Sequence, residues 1–346
     1  MPVVVGGNGA EFGHRKLSGP SSKITGDCDG DITIALINNM PDAALEDTES
    51  QFLALLRSAA PNTQIDLRLY SLPGIPRSDR GQKRLAESYL GIDDLLNRRF
   101  DGVIITGTEP CQQNLRLEPY WPILVNVLDW AENNTTSTIL SCLAAHAGVL
   151  RSDGIERQRL SDKQFGVFEY QKGSDHELTK GLSTSVRFPH SRWNGVPEDA
   201  LTACGYSILT RSDEAGVDSF IKQKGSSLFV HFQGHPEYEA GTLLKEYKRD
   251  IRRFLRGERP TYPTMPYGSF NSSTAERLRN FQEMAVSRGG DEVFADFPDA
   301  AVADTLSNSW ASSANCIYRN WIELLRDGKA DSKVMPANLN SGSREP

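Results

Sequence analysis

The chain has 346 residues, of which 38% are hydrophobic and 24% are charged, as in an ordinary soluble globular protein. Its net charge of −7 argues against nucleic acid as the main partner, because the only basic run lies at residues 245–256. No apolar stretch approaches the ~20 residues that span a bilayer, and the N-terminus lacks the basic-then-apolar order of a signal peptide.

The first half of the chain alternates strands with helices. Residues 1–30 are rich in Gly, Ser and polar residues and are predicted to form a mobile arm. Apolar, β-branched runs predict strands at 32–38, 64–70, 101–106 and 135–140, and amphipathic patterns predict helices at 46–58, 83–96 and 120–132. This alternation predicts βαβ units, and therefore an α/β fold with a mainly parallel sheet sandwiched by helices.

Beyond residue 165 the pattern changes to short strands without long helices between them, at 165–170, 184–188, 207–211, 217–223 and 227–232. We expect them to extend one side of the sheet, with some of them antiparallel. Further helices are predicted at 242–256, 273–287 and 310–326. The sequence therefore predicts one α/β domain over residues 31–327, of which 260–327 is a C-terminal helical extension, followed by a disordered tail over 328–346.

Cys142 lies where a predicted strand turns sharply into a helix with a buried face. The dipole and unpaired N–H groups of a helix N-terminus favour a thiolate there, and small residues such as Ala144 permit the tight turn of a nucleophile elbow. A lone cysteine on an apolar strand is more often a packing residue, so the turn alone leaves the role of Cys142 open. The five cysteines show no CxxC pair or metal-ligand spacing, which predicts free thiols in a reducing cytoplasm and no metal site.

A second chemical motif follows the last predicted strand, as Gly-His-Pro-Glu at residues 234–237. His235 and Glu237, two residues apart beyond a strand end, can point into one cleft, where the carboxylate orients the imidazole. A cysteine nucleophile needs such a base, and the base needs a third group to hold its tautomer. His-x-Glu alone is common and usually structural, but its combination with an elbow cysteine in an α/β chain favours catalysis.

Together these motifs resemble the catalytic set of the class I glutamine amidotransferase-like fold, which is flavodoxin-like in layout. Further segments resemble one branch of it, the homoserine O-succinyltransferase and O-acetyltransferase family. These segments lie in order at 37–41, 48–53, 100–107, 120–122, 165–169, 189–192, 234–238 and 246–250. Each motif is weak alone, and their order and spacing carry the resemblance, which covers roughly residues 32–255.

The resemblance implies a ping-pong acyl transfer in methionine biosynthesis, with no permanently bound cofactor. Cys142 would take the acyl group of succinyl-CoA or acetyl-CoA as a thioester. His235, oriented by Glu237, would then deprotonate the side-chain hydroxyl of L-homoserine. The backbone N–H groups of Leu143 and Thr108 would stabilise the oxyanion.

Matching motif positions imply that Lys163, Ser191 and Arg249 bind the amino acid. The planar fork of Arg249 suits an α-carboxylate, and Glu246, one turn away, would take the α-ammonium or position Arg249. Considered alone, residues such as Lys163 and Arg249 are more often solvated surface charges, and Ser191 could equally be a turn residue. The family also implies small-molecule partners and a homodimer.

Two departures from the family pattern leave the acyl donor and the acceptor open. Relatives commonly carry lysines just after Met-Pro, whereas this chain continues with Asp-Ala-Ala at residues 42–44. The resemblance also implies an acyl-specificity position in the loop after Gly107, where small residues admit succinyl and an acid favours acetyl. Cys111 holds that position here. Succinyl-CoA is the preferred donor, and a paralogue acting on serine is a variant of this hypothesis.

Other functions remain open on the sequence. A glutamine amidotransferase or related cysteine hydrolase would use the same catalytic set, although Leu140 and Ala144 stand where amidotransferases favour glycines. A non-catalytic member of the fold is a third hypothesis, since fold alone does not establish function. His146, four residues beyond Cys142 on the same helix face, is an alternative base, but a residue one turn on usually packs beneath the nucleophile.

Overall fold

The computed structural model describes residues 3–6 and 31–334. Within these residues, strands assemble into one ten-stranded sheet, in the order β1-β3-β2-β4-β5-β10-β9-β8-β6-β7. The strands are β1 (Val4–Gly6), β2 (Ile32–Ile37), β3 (Ile65–Tyr70), β4 (Phe100–Ile105), β5 (Thr135–Ser141), β6 (Gln158–Lys172), β7 (Ser185–Gly195), β8 (Ser207–Ser212), β9 (Gly216–Lys224) and β10 (Ser227–Phe232).

Helices lie on both faces of this sheet, which confirms the predicted α/β class. They are α1 (Asp42–Ala59), α2 (Asp79–Ser88), α3 (Ile92–Leu96), α4 (Trp121–Asn134), α5 (Leu143–Asp153), α6 (Glu198–Ala203), α7 (Thr242–Leu255), α8 (Ser272–Arg288), α9 (Asp299–Ala303) and α10 (Ala311–Val334). None of the helices in the described part of the chain is both long enough and apolar enough to cross a bilayer.

One half of the sheet is parallel, as the alternating pattern predicts. β2 pairs in parallel with β3 and β4, and β5 pairs in parallel with β4 and β10. Side chains alternate between two cores: Ile34 and Leu36 pack with α1 and α10, whereas Ala35 and Ile37 pack with α4 and α5. Burial on both faces explains the continuous apolar runs of these strands.

The prediction of a mobile arm over residues 1–30 is wrong for residues 4–6. Residues 4–6 form β1, which pairs in parallel with residues 66–68 of β3. The unpaired edge of β3 accepts three residues of backbone there, a long-range pairing that the local composition does not signal. Residues 1–2 and 7–30 lie outside the described residues, as does Cys28.

The other half of the sheet is antiparallel, as predicted for the strands beyond residue 165. β10 is the seam, since it runs parallel to β5 and antiparallel to β9. From there β9, β8, β6 and β7 continue with antiparallel pairs. The pairing of β6 with β7 shifts register between Arg159 and Gln164, and such irregularities redirect side chains.

The helix predicted at 83–96 is two helices, α2 and α3. Between them the backbone of Leu90 leaves the helix, donates a hydrogen bond to the Leu69 carbonyl at 2.8 Å and forms a bridge with Tyr70. Pairing with the sheet therefore interrupts a helical pattern that is continuous in the sequence.

The last helix, α10, packs directly on the sheet. Gly102 of β4 permits this contact, because a Cβ there would lie 2.7 Å from Leu325 Cδ1 and 2.8 Å from the Trp321 ring. Trp321 Nε1 also donates a hydrogen bond to Ser137 Oγ at 3.0 Å. The helix continues beyond its predicted end at 326, so residues 328–334 of the predicted tail are helical, and residues 335–346 lie outside the described residues.

Candidate active site

Cys142 occupies a strained turn between β5 and α5. It has φ 54° and ψ −113°, and among the described residues it is the one non-glycine residue with a positive φ. Its N–H donates to the Phe232 carbonyl of β10 at 2.7 Å, and its own carbonyl accepts from the amides of Ala145 and His146. Such strain persists only where the surrounding structure enforces it, and it is concentrated at functional sites.

The amide of Leu143 lies beside the loop that follows β4. A Cβ built on Gly107 would lie 2.9 Å from Leu143 N and 3.1 Å from Leu143 Cβ. The missing side chain therefore keeps open the space in front of this helix N-terminal amide. Thr108 follows Gly107 in the same loop, so the two predicted oxyanion residues belong to adjacent segments.

His235 reaches the elbow because β10 lies next to β5. The two strands are parallel, with Phe232 opposite Ser141, so the segments after them leave the same edge of the sheet. His235 Nδ1 lies 2.8 Å from Glu237 Oε1, and both side chains are buried. Nδ1–H donates to the carboxylate, which leaves Nε2 for the sulfur.

The electrostatics of this pair favour a charged imidazole. Burial alone would lower the pKa of His235, but the Glu237 carboxylate and a hydrogen bond with the Cys142 sulfur hold it well above its ordinary value of 6.5. Glu237 Oε2 has no hydrogen-bond partner among the described residues. The three side chains can therefore carry a thiolate, an imidazolium and a carboxylate in sequence.

Two hydrogen bonds from backbone N–H groups hold the turn that carries His235. His235 N donates to the Pro189 carbonyl at 2.9 Å, and Gly234 N donates to Asp218 Oδ1, also at 2.9 Å. A Cβ on Gly234 would lie 2.7 Å from both Asp218 Oδ1 and His190 Nε2. His190 is fully buried, and burial lowers its pKa to about 4; its ring packs against the backbone of Gly234.

His146 lies beneath the elbow and is poorly placed to act as the base. Its Nε2 lies 2.9 Å from Gln233 Oε1, to which it donates. Burial lowers the pKa of His146 to about 3, so the ring is neutral at physiological pH. This geometry disfavours the alternative base considered from the sequence.

Glu246, on α7, connects the catalytic residues to the predicted amino-acid site. Its Oε1 accepts a hydrogen bond from Tyr238 Oη at 2.7 Å, and its Oε2 accepts from Ser191 Oγ at 2.6 Å. Tyr238 also stacks on His235 with ring centroids 4.2 Å apart. Sequence reasoning gave Tyr238 no role, although it directly follows Glu237 in the recognised motif.

Lys163 joins this cluster from the irregular part of β6. Its Nζ lies 3.4 Å from Asp250 Oδ2 and 3.9 Å from Glu246 Oε2, and 4.0 Å from the centre of the Phe165 ring. Burial lowers the pKa of Lys163, although Glu246 and Asp250 oppose that shift. Lys163 is therefore a largely buried ammonium group between two carboxylates, unlike a solvated surface charge.

Arg249 completes the cluster, so all four predicted amino-acid-binding residues lie together. Asp250 Oδ1 accepts from Arg249 Nε at 3.0 Å and lies 2.9 Å from Nη2, while Glu246 Oε2 lies 3.7 Å from Nη2. Asp250 and Arg259, whose Nη1 lies 3.7 Å from Asp250 Oδ2, were not foreseen. The fold brings Arg259 and Lys163 to Asp250. In the sequence, only the position of Asp250 one helical turn after Glu246 indicated that it would lie near this cluster.

Cys111 lies in the loop after β4 and is exposed. This loop is held by Glu118, whose Oε1 accepts from Gln112 N at 2.6 Å, and by Arg157, whose Nη2 donates to the Gln113 carbonyl at 3.1 Å. The charge of Arg157 is also within electrostatic range of Cys142. The loop that follows Gly107 beside the elbow is therefore exposed at Cys111 and held in place at Gln112 and Gln113.

Comparison with known proteins adds an independent finding. Residues 28–329 match the family model described as Homoserine O-succinyltransferase. The Bradyrhizobium japonicum protein named homoserine O-succinyltransferase is 46% identical over 299 residues, which are 86% of this chain and 91% of that protein. The proteins of this name from Rhodopseudomonas palustris and Methylorubrum extorquens are 44% and 41% identical, over 84% and 86% of this chain and 87% and 88% of their own lengths.

Solved structures with a similar course of the chain are more distant in sequence. A glutamine amidotransferase from Thermotoga maritima is 11% identical, with a TM-score of 0.44, over 86% of this chain and 99% of that one. A glutamine amido transferase from Methylobacillus flagellatus is 14% identical, with a TM-score of 0.46, over 85% and 94% of the two chains.

Proposed function

The chain belongs to the homoserine O-succinyltransferase family, and on that basis we propose that it transfers a succinyl group from succinyl-CoA to the side-chain hydroxyl of L-homoserine. The chief support is geometric: the elbow cysteine and the His235–Glu237 pair leave adjacent strand ends, beside a cluster of charges suited to an amino acid. This reaction belongs to methionine biosynthesis.

In the first half-reaction, the Cys142 thiolate attacks the thioester carbonyl of the donor. A carbon–sulfur bond forms to Cys142, the bond to the CoA sulfur breaks, and the CoA thiolate takes the proton of the His235 imidazolium. The raised pKa of His235 supports this starting state, in which the proton is already on the ring. One thioester replaces another, so the exchange is nearly balanced in energy.

In the second half-reaction, neutral His235 removes the proton of the homoserine hydroxyl while its oxygen attacks the acyl-Cys142 carbonyl. The tetrahedral intermediate collapses to the O-acyl ester and expels the Cys142 thiolate, which restores the thiolate–imidazolium pair. Glu237 holds Nδ1–H and stabilises the imidazolium in both steps. The N–H groups of Leu143 and Thr108 would stabilise the oxyanion of each intermediate.

The acceptor would bind in the cluster around Glu246. Asp250 contacts the Nε–Nη2 edge of Arg249, which leaves the Nη1 side of the guanidinium for the α-carboxylate. Glu246 would accept the α-ammonium, with Ser191 and Lys163 fixing the orientation of its carboxylate. Homoserine is the proposed acceptor because the chain belongs to the homoserine O-succinyltransferase family, and serine, one methylene shorter, is the competing acceptor.

Other parts of the proposal rest on the family and on the site's surroundings. Cys111 stays a prediction as the acyl-specificity residue, with succinyl-CoA the donor and acetyl-CoA the competing one. Free thiols and a CoA substrate suit the cytoplasm. A homodimer stays a prediction that light scattering would test.

Intact-mass spectrometry tests the proposed function. We expect succinyl-CoA alone to add one succinyl mass to the protein, Cys142→Ala to abolish the addition, and homoserine to remove the acyl group. Cys204→Ala, which changes another half-buried cysteine, is the matched control and should acylate normally.

Absence of labelling by both succinyl-CoA and acetyl-CoA would overturn the proposal. Glutaminase activity without CoA release would instead support a cysteine hydrolase of the same fold. To identify the acceptor, homoserine and serine would each be added to the acyl-enzyme, and the loss of the acyl mass would be compared.

A further inference from the structure

One face of α7 carries a concentration of positive charge in a chain whose net charge is −7. The opposite face of the helix is buried, through Leu243, Tyr247 and Ile251. The outward face borders a groove of about 480 Å³, called here the α7 groove. It is lined by Lys245, Lys248, Arg249, Arg252, Arg253, Arg256 and Glu258.

The α7 groove begins at the proposed active site. Arg249 belongs to the amino-acid cluster, and Arg253 Nη1 lies 3.8 Å from Glu109 Oε1, in the loop that borders the elbow. At about 1.5 Å of rise per residue, Arg256 lies roughly 10 Å along the helix from Arg249. The groove therefore leads away from the reacting groups along the protein surface.

Neighbouring carboxylates orient several of these cations. Lys245 Nζ lies 2.8 Å from Asp47 Oδ2, and Arg256 Nη2 lies 2.9 Å from Asp291 Oδ2. These pairs are solvent-exposed and therefore weak, so they do not prevent a phosphate from binding the same side chains. Lys248 is paired with Asp299 in the same way.

Arg252 differs from the other cations of the groove. Its guanidinium carbon lies 4.0 Å from the centre of the Phe294 ring, and it has no ion pair among the described residues. Stacking orients the planar fork and leaves its N–H donors for an anion that fits two of them at once. Phosphate oxygens have this geometry.

We propose that the α7 groove binds the phosphates of the acyl donor, namely the diphosphate and 3′-phosphate at the adenosine end of CoA. This inference rests on the proposed function, which requires an acyl-CoA at Cys142. The pantetheine arm between thioester and diphosphate has the backbone length of about four extended residues, roughly 14 Å. From Arg249, in the charged cluster next to the catalytic residues, the groove runs about 10 Å along α7, which is shorter than that reach.

Donors with and without the nucleotide separate this role from a general effect on catalysis. We would compare acyl-enzyme formation from succinyl-CoA with that from the N-acetylcysteamine thioester of succinate, which carries no phosphate. In the double variant Arg252→Ala/Arg256→Ala, the half-saturating concentration of succinyl-CoA should rise at least tenfold, while the rate with the truncated donor stays within twofold. The wild-type preference for succinyl-CoA should also weaken as salt is added.

Arg279→Ala, an exposed arginine of α8 outside the groove, is the matched control and should leave both donors unaffected. Equal losses with both donors, or no loss with either, would overturn the inference. Wild-type protein that reacts with neither donor would count against the proposed function instead.

Binding of the nucleotide part of CoA can be measured directly, even in a variant that has lost activity. Calorimetry with adenosine 3′,5′-bisphosphate should show binding to wild type and at least a tenfold weaker affinity in the double variant. Binding that inorganic phosphate reproduces at equal concentration, or that the double variant retains, would show that the groove does not recognise the nucleotide. Unchanged melting temperatures ensure that lost binding is not lost folding.

Discussion

The two halves of the sheet contribute differently to the site. The parallel half supplies backbone geometry: a strained Cys142, an open space at Gly107 and a helix N-terminal amide at Leu143. The antiparallel half supplies polar side chains, namely the ammonium group of Lys163 on β6 and the hydroxyl of Ser191 on β7, which meet Glu246 of α7. His235, which both halves need, lies just after β10, the seam between the halves.

This difference suggests a division of labour between the halves. Oxyanion stabilisation and nucleophilic attack occur in both half-reactions, so changes in the parallel half should slow both acyl-enzyme formation and acyl transfer. The charged cluster would contact only the acceptor, so changes there should slow transfer alone. Measuring the two half-reactions separately therefore tests the comparison.

A change at the seam should have the largest effect. In Glu237→Gln, the imidazolium of His235 loses the carboxylate that stabilises it, so the pKa of His235 should fall and the ring should lose its proton at a lower pH than in wild type. We expect both half-reactions to slow by about 10⁴-fold at neutral pH, as when the acid of a Ser-His-Asp triad becomes an amide. NMR titration of the His235 ring and rapid-quench measurement of acylation would check this.

Glu239→Gln is the matched control, because Glu239 lies two residues on and is exposed. It should leave the His235 titration and both rates near wild type. If His235 in Glu237→Gln titrated at the wild-type pH, Glu237 would not be the group that stabilises its charge.

Gly107→Ala tests the backbone contribution of the parallel half. The added methyl group would lie 2.9 Å from Leu143 N and would occupy the space in which an oxyanion meets that amide. Loss of one such donor typically costs about 10²–10³-fold in rate, and both half-reactions should slow by that factor. Single-turnover acylation and deacylation rates would measure it.

Gly91→Ala serves as the matched control, since a Cβ there meets no atom within 4 Å and the backbone has no positive φ. Its rates should equal those of wild type. If Gly107→Ala were acylated at the wild-type rate, the oxyanion would not bind at the Leu143 amide.

The parallel half was the more predictable from sequence. A strand that turns into a helix at Cys142 and the Gly-His-Pro-Glu motif after another strand are both local patterns, and a parallel sheet brings strand ends to one edge. The sequence did not predict that position 107 must lack a side chain. The distance between Gly107 and the Leu143 amide depends on how two loops pack, which local patterns do not reveal. β1 and the break between α2 and α3 were missed for the same reason: both arise from pairing with β3.

The site residues of the antiparallel half were predictable only through the family resemblance, although its strands were predicted from the sequence pattern. Lys163 looks like a surface charge in the sequence, and its burial follows from the contact between β6 and α7. Arg249 also looks like a surface charge, and its side chain is about half exposed in the structure. Asp218 gave no signal, because it acts on Gly234, which the fold brings to it. Asp250 follows Arg249 directly in the sequence, but its contact with Lys163 arises from the fold. Hydrogen bonds across many residues of sequence cannot be inferred from local periodicity.

The smallest expected effect belongs to Tyr238, which joins the two halves. Tyr238→Phe keeps the ring stacked on His235 but removes the hydroxyl that donates to Glu246 at 2.7 Å. A hydrogen bond to a charged group contributes ~1.5–3 kcal/mol, but Glu246 keeps Ser191 as a donor, so the transfer rate to homoserine should fall by about tenfold. Acyl-enzyme formation should stay within twofold, because the stacked ring still positions His235.

The rate at which homoserine removes the acyl group from pre-formed acyl-enzyme measures the effect, with exposed Tyr267→Phe as the control. Equal slowing of both half-reactions would mean that Glu246 acts through His235 as well as on the acceptor, and the division between the halves would not hold.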